Sequence, residues 1–368
     1  MLRRSTILLL MPHLGEGGAE RVMTHLARSL PNDNFDVHLG LVTENSSTAE
    51  ILPAYIQVHE LGASRVLFGA IALLRMVWKL RPDLIISGMF HLNFLVLLLR
   101  PMFPRATRVL VRQNGMLPVR TGRPRSRMVL GLYKATYPHA NGIICQTLAM
   151  AEDLTRLLGL SAKLHVLRNP VDLQGIRQLV TRSPRHWSGQ GPHLVAVGRL
   201  SLEKGFDLLL DGFAILRRQY TSADLVILGK GAEEKALRAR CNALGLSACV
   251  SFAGYVAEPA SWFAGASILV IPSREEALPN VLLEGAAAGL PIVATPCSPG
   301  VVQLLHGQSG AWIARSVSSD ALAKSLLAAL ATLRPGQRFR HLWLDPFELH
   351  KAVAAYETLI DETLSRPL

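Results

Sequence analysis

Short, unbroken apolar runs recur along this chain, each followed by turn residues or an amphipathic stretch. This rhythm constrains the fold more than any other feature. In the first half the runs lie at 7–11, 37–42, 84–87, 107–112, 142–145 and 164–167. Continuous apolar runs, as opposed to alternating ones, mark strands covered on both faces, hence a parallel sheet between helical layers. The rhythm restarts at 194–197 and continues through 224–228, 250–253, 268–271 and 291–294. Two βαβ series in tandem predict an α/β fold of two Rossmann-like domains facing across a cleft, with ligands at the carboxyl ends of the strands. The expected domains are 1–179 and 193–345. Between them, 180–192 is rich in Arg, Ser, Gly and Pro and reads as a linker. A closing helix over 346–368 is expected to pack back on the first domain.

Composition narrows the classes of function. Hydrophobic residues make up 49% of the 368 and charged residues 18%, which excludes wholesale disorder. Cys145, Cys241, Cys249 and Cys297 are scattered without ligand-like spacing, so neither a disulfide framework nor a zinc site is expected. The net charge of +12 is concentrated in the first half, where 1–168 holds 20 Lys and Arg against 10 Asp and Glu. No acidic residue stands between Asp83 and Glu152, while Arg100, Arg105, Arg108, Arg112, Arg120, Arg123, Arg125 and Arg127 all do. Such a surface suits anionic lipid headgroups, a diphosphate-bearing substrate or nucleic acid. Only 6% of residues are aromatic, which argues against nucleic acid as the partner. The apolar stretches 66–78 and 92–99 fall short of the ~20 residues a bilayer requires. The opening MLRRSTILLLMP lacks a small-residue cleavage site and reads as a first strand. A cytoplasmic protein is expected, docked as a peripheral protein on the inner face of the cell membrane.

Three segments can carry chemistry. GEGGAE over 15–20 follows the first strand and opens a helix, so Gly17 and Gly18 let backbone approach a ligand at a positive helix end. It is not GxGxxG, which excludes a NAD-dependent dehydrogenase. VGRLSLEKG over 197–205 puts Arg199 and Lys204 in one loop at a strand's carboxyl end, suited to a leaving diphosphate. SREEALPNVLLE over 273–284 spaces Glu276 and Glu284 eight apart across a loop and a helix start. One carboxylate can hold sugar hydroxyls and the other a ribose diol, while the backbone N–H groups of Ala277 to Asn280 meet an anion. Taken singly, each segment also fits an ordinary loop with solvated charges.

Together these segments resemble glycosyltransferase family 4, a group of retaining enzymes with the GT-B fold. The likeness rests on GGAERV, on NPVD at 169–172, on VGRLSLEKG, on LGKG at 228–231, and on the E-x7-E motif followed by GAAAGLPIVAT. The resemblance implies a hexose or N-acetylhexosamine moved from a nucleoside diphosphate sugar, a UDP-sugar first among them, to a glycan acceptor. It further implies that this acceptor is lipid-diphosphate-linked, in polysaccharide or lipid-linked oligosaccharide assembly. Arg199 and Lys204 would neutralise the leaving diphosphate, Glu276 would contact the donor sugar and Glu284 the ribose. Gly17, Gly18, Gly198, Gly229, Ala277, Leu278, Pro279 and Asn280 complete the implied donor site. His91, after the strand at 84–87, joins the catalytic set; Arg112 and Asn114 are placed on the acceptor side. No cofactor and no metal are expected. Two departures stand out: Ala277 follows Glu276 where the family usually has glycine, and Gln303 stands where it more often has glutamate. A sugar-nucleotide epimerase of the same architecture is the alternative enzyme, and it lacks a placeable acid–base set.

Overall fold

The computed structural model describes residues 4–14, 17–43, 52–63, 69–117, 124–184, 186–189 and 191–367, with the backbone alone for 124–126. The chain divides into two compact units, Met1–Val171 with Phe347–Leu368, and Asp172–Pro346.

The first unit is built on a seven-stranded sheet. Its strands are β1 (Ser5–Met11), β2 (Phe35–Leu41), β3 (Gln57–Glu60), β4 (Leu84–Ser87), β5 (Arg108–Gln113), β6 (Gly142–Cys145) and β7 (Leu164–Val166). They are all parallel, in the order β3-β2-β1-β4-β5-β6-β7. Leu8, Leu9 and Leu10 on successive positions of β1 are wholly buried, as a strand covered on both faces requires. The connecting helices are α1 (Gly18–Ser29), α2 (Ala70–Leu80), α3 (Phe90–Leu99), α4 (Pro124–Thr136) and α5 (Leu148–Leu158). Local signals set their ends: Thr147 accepts from the Met150 N–H at 3.3 Å to start α5, and Gly159 at φ 70° stops it. The C-terminal helix, Leu349–Ser365, returns to this unit beside α1. It adds Val353, Tyr356, Leu359 and Ile360 to the core made by α1 and the strands.

The second unit starts with α6 (Leu173–Arg182), capped by Asp172, whose carboxylate accepts from the Gly175 N–H at 2.7 Å. Its strands and helices alternate as β8 (His193–Val197), α7 (Phe206–Arg217), β9 (Asp224–Leu228), α8 (Glu234–Ala243), β10 (Val250–Gly254) and β11 (Ile268–Ile271). They continue as α9 (Asn280–Ala287), β12 (Ile292–Ala294), α10 (Pro299–Leu305), β13 (Ala311–Ile313) and α11 (Ser319–Thr332). The six-stranded parallel sheet runs β10-β9-β8-β11-β12-β13.

Every strand read from the sequence is present within two residues of its expected ends. Two edge strands were not read, for physical reasons. β3 has the sequence QVHE, half-exposed and without an apolar run, and β13 is an apolar run of only three strand residues, AWI, half-buried throughout. The stretch 180–192, read as a linker, lies wholly beyond the division between the units. Arg177 ties α6 to the Ala287 carbonyl at 3.3 Å. Farther on, the Trp187 indole donates to the Trp262 carbonyl at 3.1 Å and stacks on His193. Among the described residues no helix is long and apolar enough to cross a membrane.

Tyr356 links the C-terminal helix to the first sheet: it is 1% exposed and its hydroxyl accepts from Arg112 Nε at 3.3 Å. Tyr356→Ala is expected to destabilise the first unit by about 3–5 kcal/mol, and Tyr356→Phe by about 1–3 kcal/mol. Urea unfolding followed by circular dichroism measures both, and a Tyr356→Phe variant as stable as the wild type would refute the hydroxyl's part.

Candidate active site

Ligands of open parallel sheets bind outside the carboxyl ends of the strands, where the strand order reverses. In the second unit this point lies between β8 and β11, which are paired neighbours whose onward connections leave in opposite directions. Gly198 and Arg199 leave β8 directly, and Lys204 follows in a short 3-10 turn, Leu202–Lys204. Gly229 leaves β9, and the segment 272–279 joins β11 to α9. The loops after β8 and β9 are bound to each other, the Gly198 N–H reaching the Leu228 carbonyl and the Leu200 N–H the Lys230 carbonyl, both at 2.9 Å. Gly229 has φ 144°, and a Cβ there would lie 1.9 Å from the Gly198 carbonyl oxygen. Only glycine permits so close an approach.

Two ion pairs join the loop after β8 and the first turn of α7 to the loop after β11. Arg274 meets both oxygens of Asp207 at 2.6 Å and donates to the Leu202 carbonyl at 2.9 Å. The same arginine's backbone N–H reaches the Glu203 carbonyl at 2.7 Å. The hydrogen bond from Arg274 holds Asp207 below the usual carboxylate range. Lys204 Nζ pairs with Glu276 Oε1, the two side chains being 24% and 16% exposed. A pair this sheltered is less screened than a surface pair. Arg199, by contrast, is exposed.

The loop after β11 rests on a hydroxyl floor. Ser298 Oγ donates to the Ala277 carbonyl at 3.0 Å, and the fully buried Thr295 Oγ1 serves the carbonyls of Ile271, at 3.3 Å, and Ser273. Ala277, Leu278 and Pro279 are buried. Pro279 is the N-cap of α9 and has no N–H, so donors at this helix end come from Asn280 onward. Asn280 is half-buried at the first helical position and Glu284, also half-buried, stands one turn later. The Cys297 thiol beside this loop is pushed up to about 12, by burial first and then by the Glu276 charge. It therefore stays protonated and offers no nucleophile.

In the first unit the order reverses between β1 and β4. Gly17 is the N-cap of α1 and Gly18 its first residue, with Glu20 buried in the first turn. Gly15 and Glu16 lie outside the described residues, as do Arg120 and Arg123 and the side chain of Arg125. His91 is half-buried near the start of α3. Burial lowers its pKa, the charge of His13 lowers it further and Glu20 opposes both, leaving a mainly neutral imidazole at pH 7.

Arg112, read as facing the acceptor, is wholly buried at the end of β5. Its guanidinium donates to Asn114 Oδ1, to Asn169 Oδ1 at 2.5 Å and to Tyr356 Oη at 3.3 Å. It orders the strand ends of the first unit and presents no surface. Asn114 is half-exposed and donates to the Gly88 carbonyl, on the turn before α3.

The predicted donor set is divided. Gly198, Arg199, Lys204, Gly229, Glu276, Ala277 to Asn280 and Glu284 lie on the loops after β8, β9 and β11 and on α9 in the second unit. Gly17 and Gly18 lie in the first, as do His91, Arg112 and Asn114. The sequence reading missed the Arg274–Asp207 pair and the hydroxyls of Thr295 and Ser298. A signal existed for the pair: Asp207 stands three residues after Lys204 and Arg274 two before Glu276.

The comparisons with known proteins bear on these two groups. A family model described as Glycosyltransferase Family 4 matches residues 16–174, and one described as Glycosyl transferases group 1 matches 191–332. An uncharacterized glycosyltransferase of Haemophilus influenzae is 35% identical over 133 residues, 36% of this chain and 38% of that protein. The match thus spans little more than a third of that relative. The lipopolysaccharide core biosynthesis glycosyltransferase LpsE of Rhizobium meliloti is 25% identical over 77% of both chains. Among solved structures, Anabaena HepE in complex with UDP and glucose has a TM-score of 0.78 at 17% identity, covering 98% of this chain and 99% of that one.

Because Asp207 is held below its ordinary pKa, its stabilising bond is fully present above the unfolded carboxylate pKa near 4. It is lost as pH falls through the lower folded value. Asp207→Asn is therefore expected to flatten the acid limb of the stability curve below about pH 4. Thermal melts from pH 2.5 to 7 test this, and an unchanged acid limb would remove the clamp from the account.

Proposed function

Since the chain belongs to glycosyltransferase family 4 and has the GT-B fold, we propose that it is a retaining glycosyltransferase. It takes a hexose or N-acetylhexosamine from a nucleoside diphosphate sugar, a UDP-sugar in the first instance, and gives it to a glycan acceptor carried on a lipid diphosphate. The product enters polysaccharide or lipid-linked oligosaccharide assembly at the inner face of the cell membrane, where the protein is peripheral. The observation that carries this reading is the Lys204–Glu276 pair at the β8/β11 reversal, with Arg199 exposed on the same loop.

A glycosidic bond to a diphosphate breaks with the electron pair going to the β-phosphate oxygen, so negative charge grows there. Arg199 and Lys204 stand in the loop that can neutralise it, which is the largest single contribution a site of this kind can make. Glu276 holds Lys204 in place and presents its second oxygen to sugar hydroxyls, while Glu284 binds the ribose. The backbone near Gly198, Gly229 and Ala277–Asn280 closes on the donor. The acceptor hydroxyl attacks the face the diphosphate leaves, and its proton passes to the departing phosphate oxygen. No second carboxylate is then required as nucleophile. In the first unit Gly17 and Gly18 let backbone at the α1 terminus approach the acceptor, and a neutral His91 stands near the start of α3. Two cations supply the charge a metal would otherwise supply, so no metal is required. UDP held by Anabaena HepE supports the choice of base.

Thermal shifts against UDP, GDP, ADP, CMP and NAD test the reading. A nucleoside diphosphate at 100 times its dissociation constant should stabilise by about 2.7 kcal/mol. Lys204→Ala and Glu284→Ala are each expected to weaken it about 10- to 100-fold, the loss of one charge-assisted contact. Chelation with EDTA should leave the shift intact. Failure of every nucleotide, or a shift that survives both substitutions, would move the donor site elsewhere.

A further inference from the structure

On one side of the first unit's sheet, α2 packs against α3 and α3 against α4. Their outward side chains are apolar to an unusual degree. Ile71 is 65% exposed, Trp78 51%, Leu98 66%, Met102 55%, Met128 70% and Leu132 40%. Ile71 and Trp78 lie two turns apart on α2, and Met128 and Leu132 one turn apart on α4, so each pair shares a helix face. The Trp78 indole donates to the Met102 carbonyl at 2.9 Å, which joins the end of α2 to the 3-10 turn Arg100–Met102 closing α3. Single exposed apolar residues are ordinary in a folded protein. A set shared by three neighbouring helices marks a surface that something covers.

The charges on the same helices are of one sign. Arg75, Lys79, Arg105, Arg127 and Lys134 are exposed on or beside these helices. The acid-free stretch from Asp83 to Glu152 contains all of α3 and α4, and Asp83 itself accepts from the Thr6 N–H at 2.8 Å. A second copy of the chain would set these cations against themselves. A nucleic acid would meet the cations and leave Ile71, Leu98 and Met128 without a place. The interface of an anionic bilayer offers both, apolar boundary for the side chains and phosphates for the cations.

We propose that the α2–α3–α4 face of the first unit is a docking surface for anionic lipid, lying on the bilayer with Ile71, Trp78, Leu98, Met102, Met128 and Leu132 in the headgroup–acyl boundary. This deepens the reading of a lipid-linked acceptor but does not rest on the donor site in the second unit. Helices that lie in this boundary bind through apolar area and charge together, so both components must be measurable.

The full chain is mixed with vesicles of phosphatidylcholine alone or with one-third phosphatidylglycerol, and sedimented at 50 and 500 mM salt. Binding is expected to the anionic vesicles at low salt and to weaken on raising the salt. Arg75→Glu with Lys79→Glu should lower the partition coefficient about tenfold or more. Ile71→Ser with Leu98→Ser and Met128→Ser should do so at both salt concentrations, while Lys235→Glu in the second unit should change nothing. The thermal shift with UDP, measured on each variant, reports folding and the donor site independently of the vesicles. No pelleting at low salt, or pelleting that both sets of substitutions leave intact, would overturn the proposal. So would a wild-type dimer in sedimentation velocity that the serine variant dissociates, since the face would then be covered by a second copy.

Discussion

Burial of parallel strands on both faces is the constraint from which the rest follows. A strand such as β1, with Leu8, Leu9 and Leu10 all at 0% exposure, can sit only between helical layers. Parallel pairing then requires a crossover after every strand, and right-handed crossovers place helices on both faces. The sheet grows in two directions from its first strand, so the order must reverse once. At that reversal, between β8 and β11 in the second unit, two loops diverge and leave room beside the strand ends, the place where open parallel sheets bind ligands.

What fills that room is a set of charges already balanced among themselves. Arg274 with Asp207 and Lys204 with Glu276 couple the same two loops, one pair bidentate, the other sheltered. The first fixes backbone, and the second holds a lysine against a carboxylate in a partly sheltered position. A lysine held by one carboxylate oxygen can exchange part of that contact for a phosphate at little cost in reorganisation. Preorganised charge of this kind is more effective than charge brought in from solvent. The hydroxyls of Thr295 and Ser298 hold the loop from beneath, so that the buried run Ala277–Pro279 keeps one shape.

Much of this was legible in the residues. Buried strands such as β1 and β11 announced themselves by their apolar runs, whereas the edge strand β3 has one apolar residue in four and β13 is only three residues long. Arg199, Lys204, Glu276 and Glu284 stood out because charges at strand ends in an otherwise apolar chain are conspicuous. Arg112 stood out for the same reason and has a different part, since a sequence shows a charge and hides its burial. Thr295 and Ser298 gave no warning, because small hydroxyl residues are common and only the fold shows which carbonyls they reach. The boundary between the units was also hidden: the helix over Leu173–Arg182 has the same 3.6-residue period whichever core it joins.

The buried guanidinium of Arg112 has a consequence for how the chain is made. It is held by Asn114, by Asn169 and, across 244 positions of sequence, by Tyr356. The first unit's core likewise contains Val353, Leu359 and Ile360, residues that follow the whole of the second unit in sequence. The second unit, Asp172–Pro346, is continuous in sequence and waits for nothing. Vectorial synthesis usually completes the N-terminal domain first. Here the N-terminal part cannot be completed first: until the second unit has been made, the first unit lacks the helix that covers α1. Its apolar core then stands open for the whole of its neighbour's synthesis.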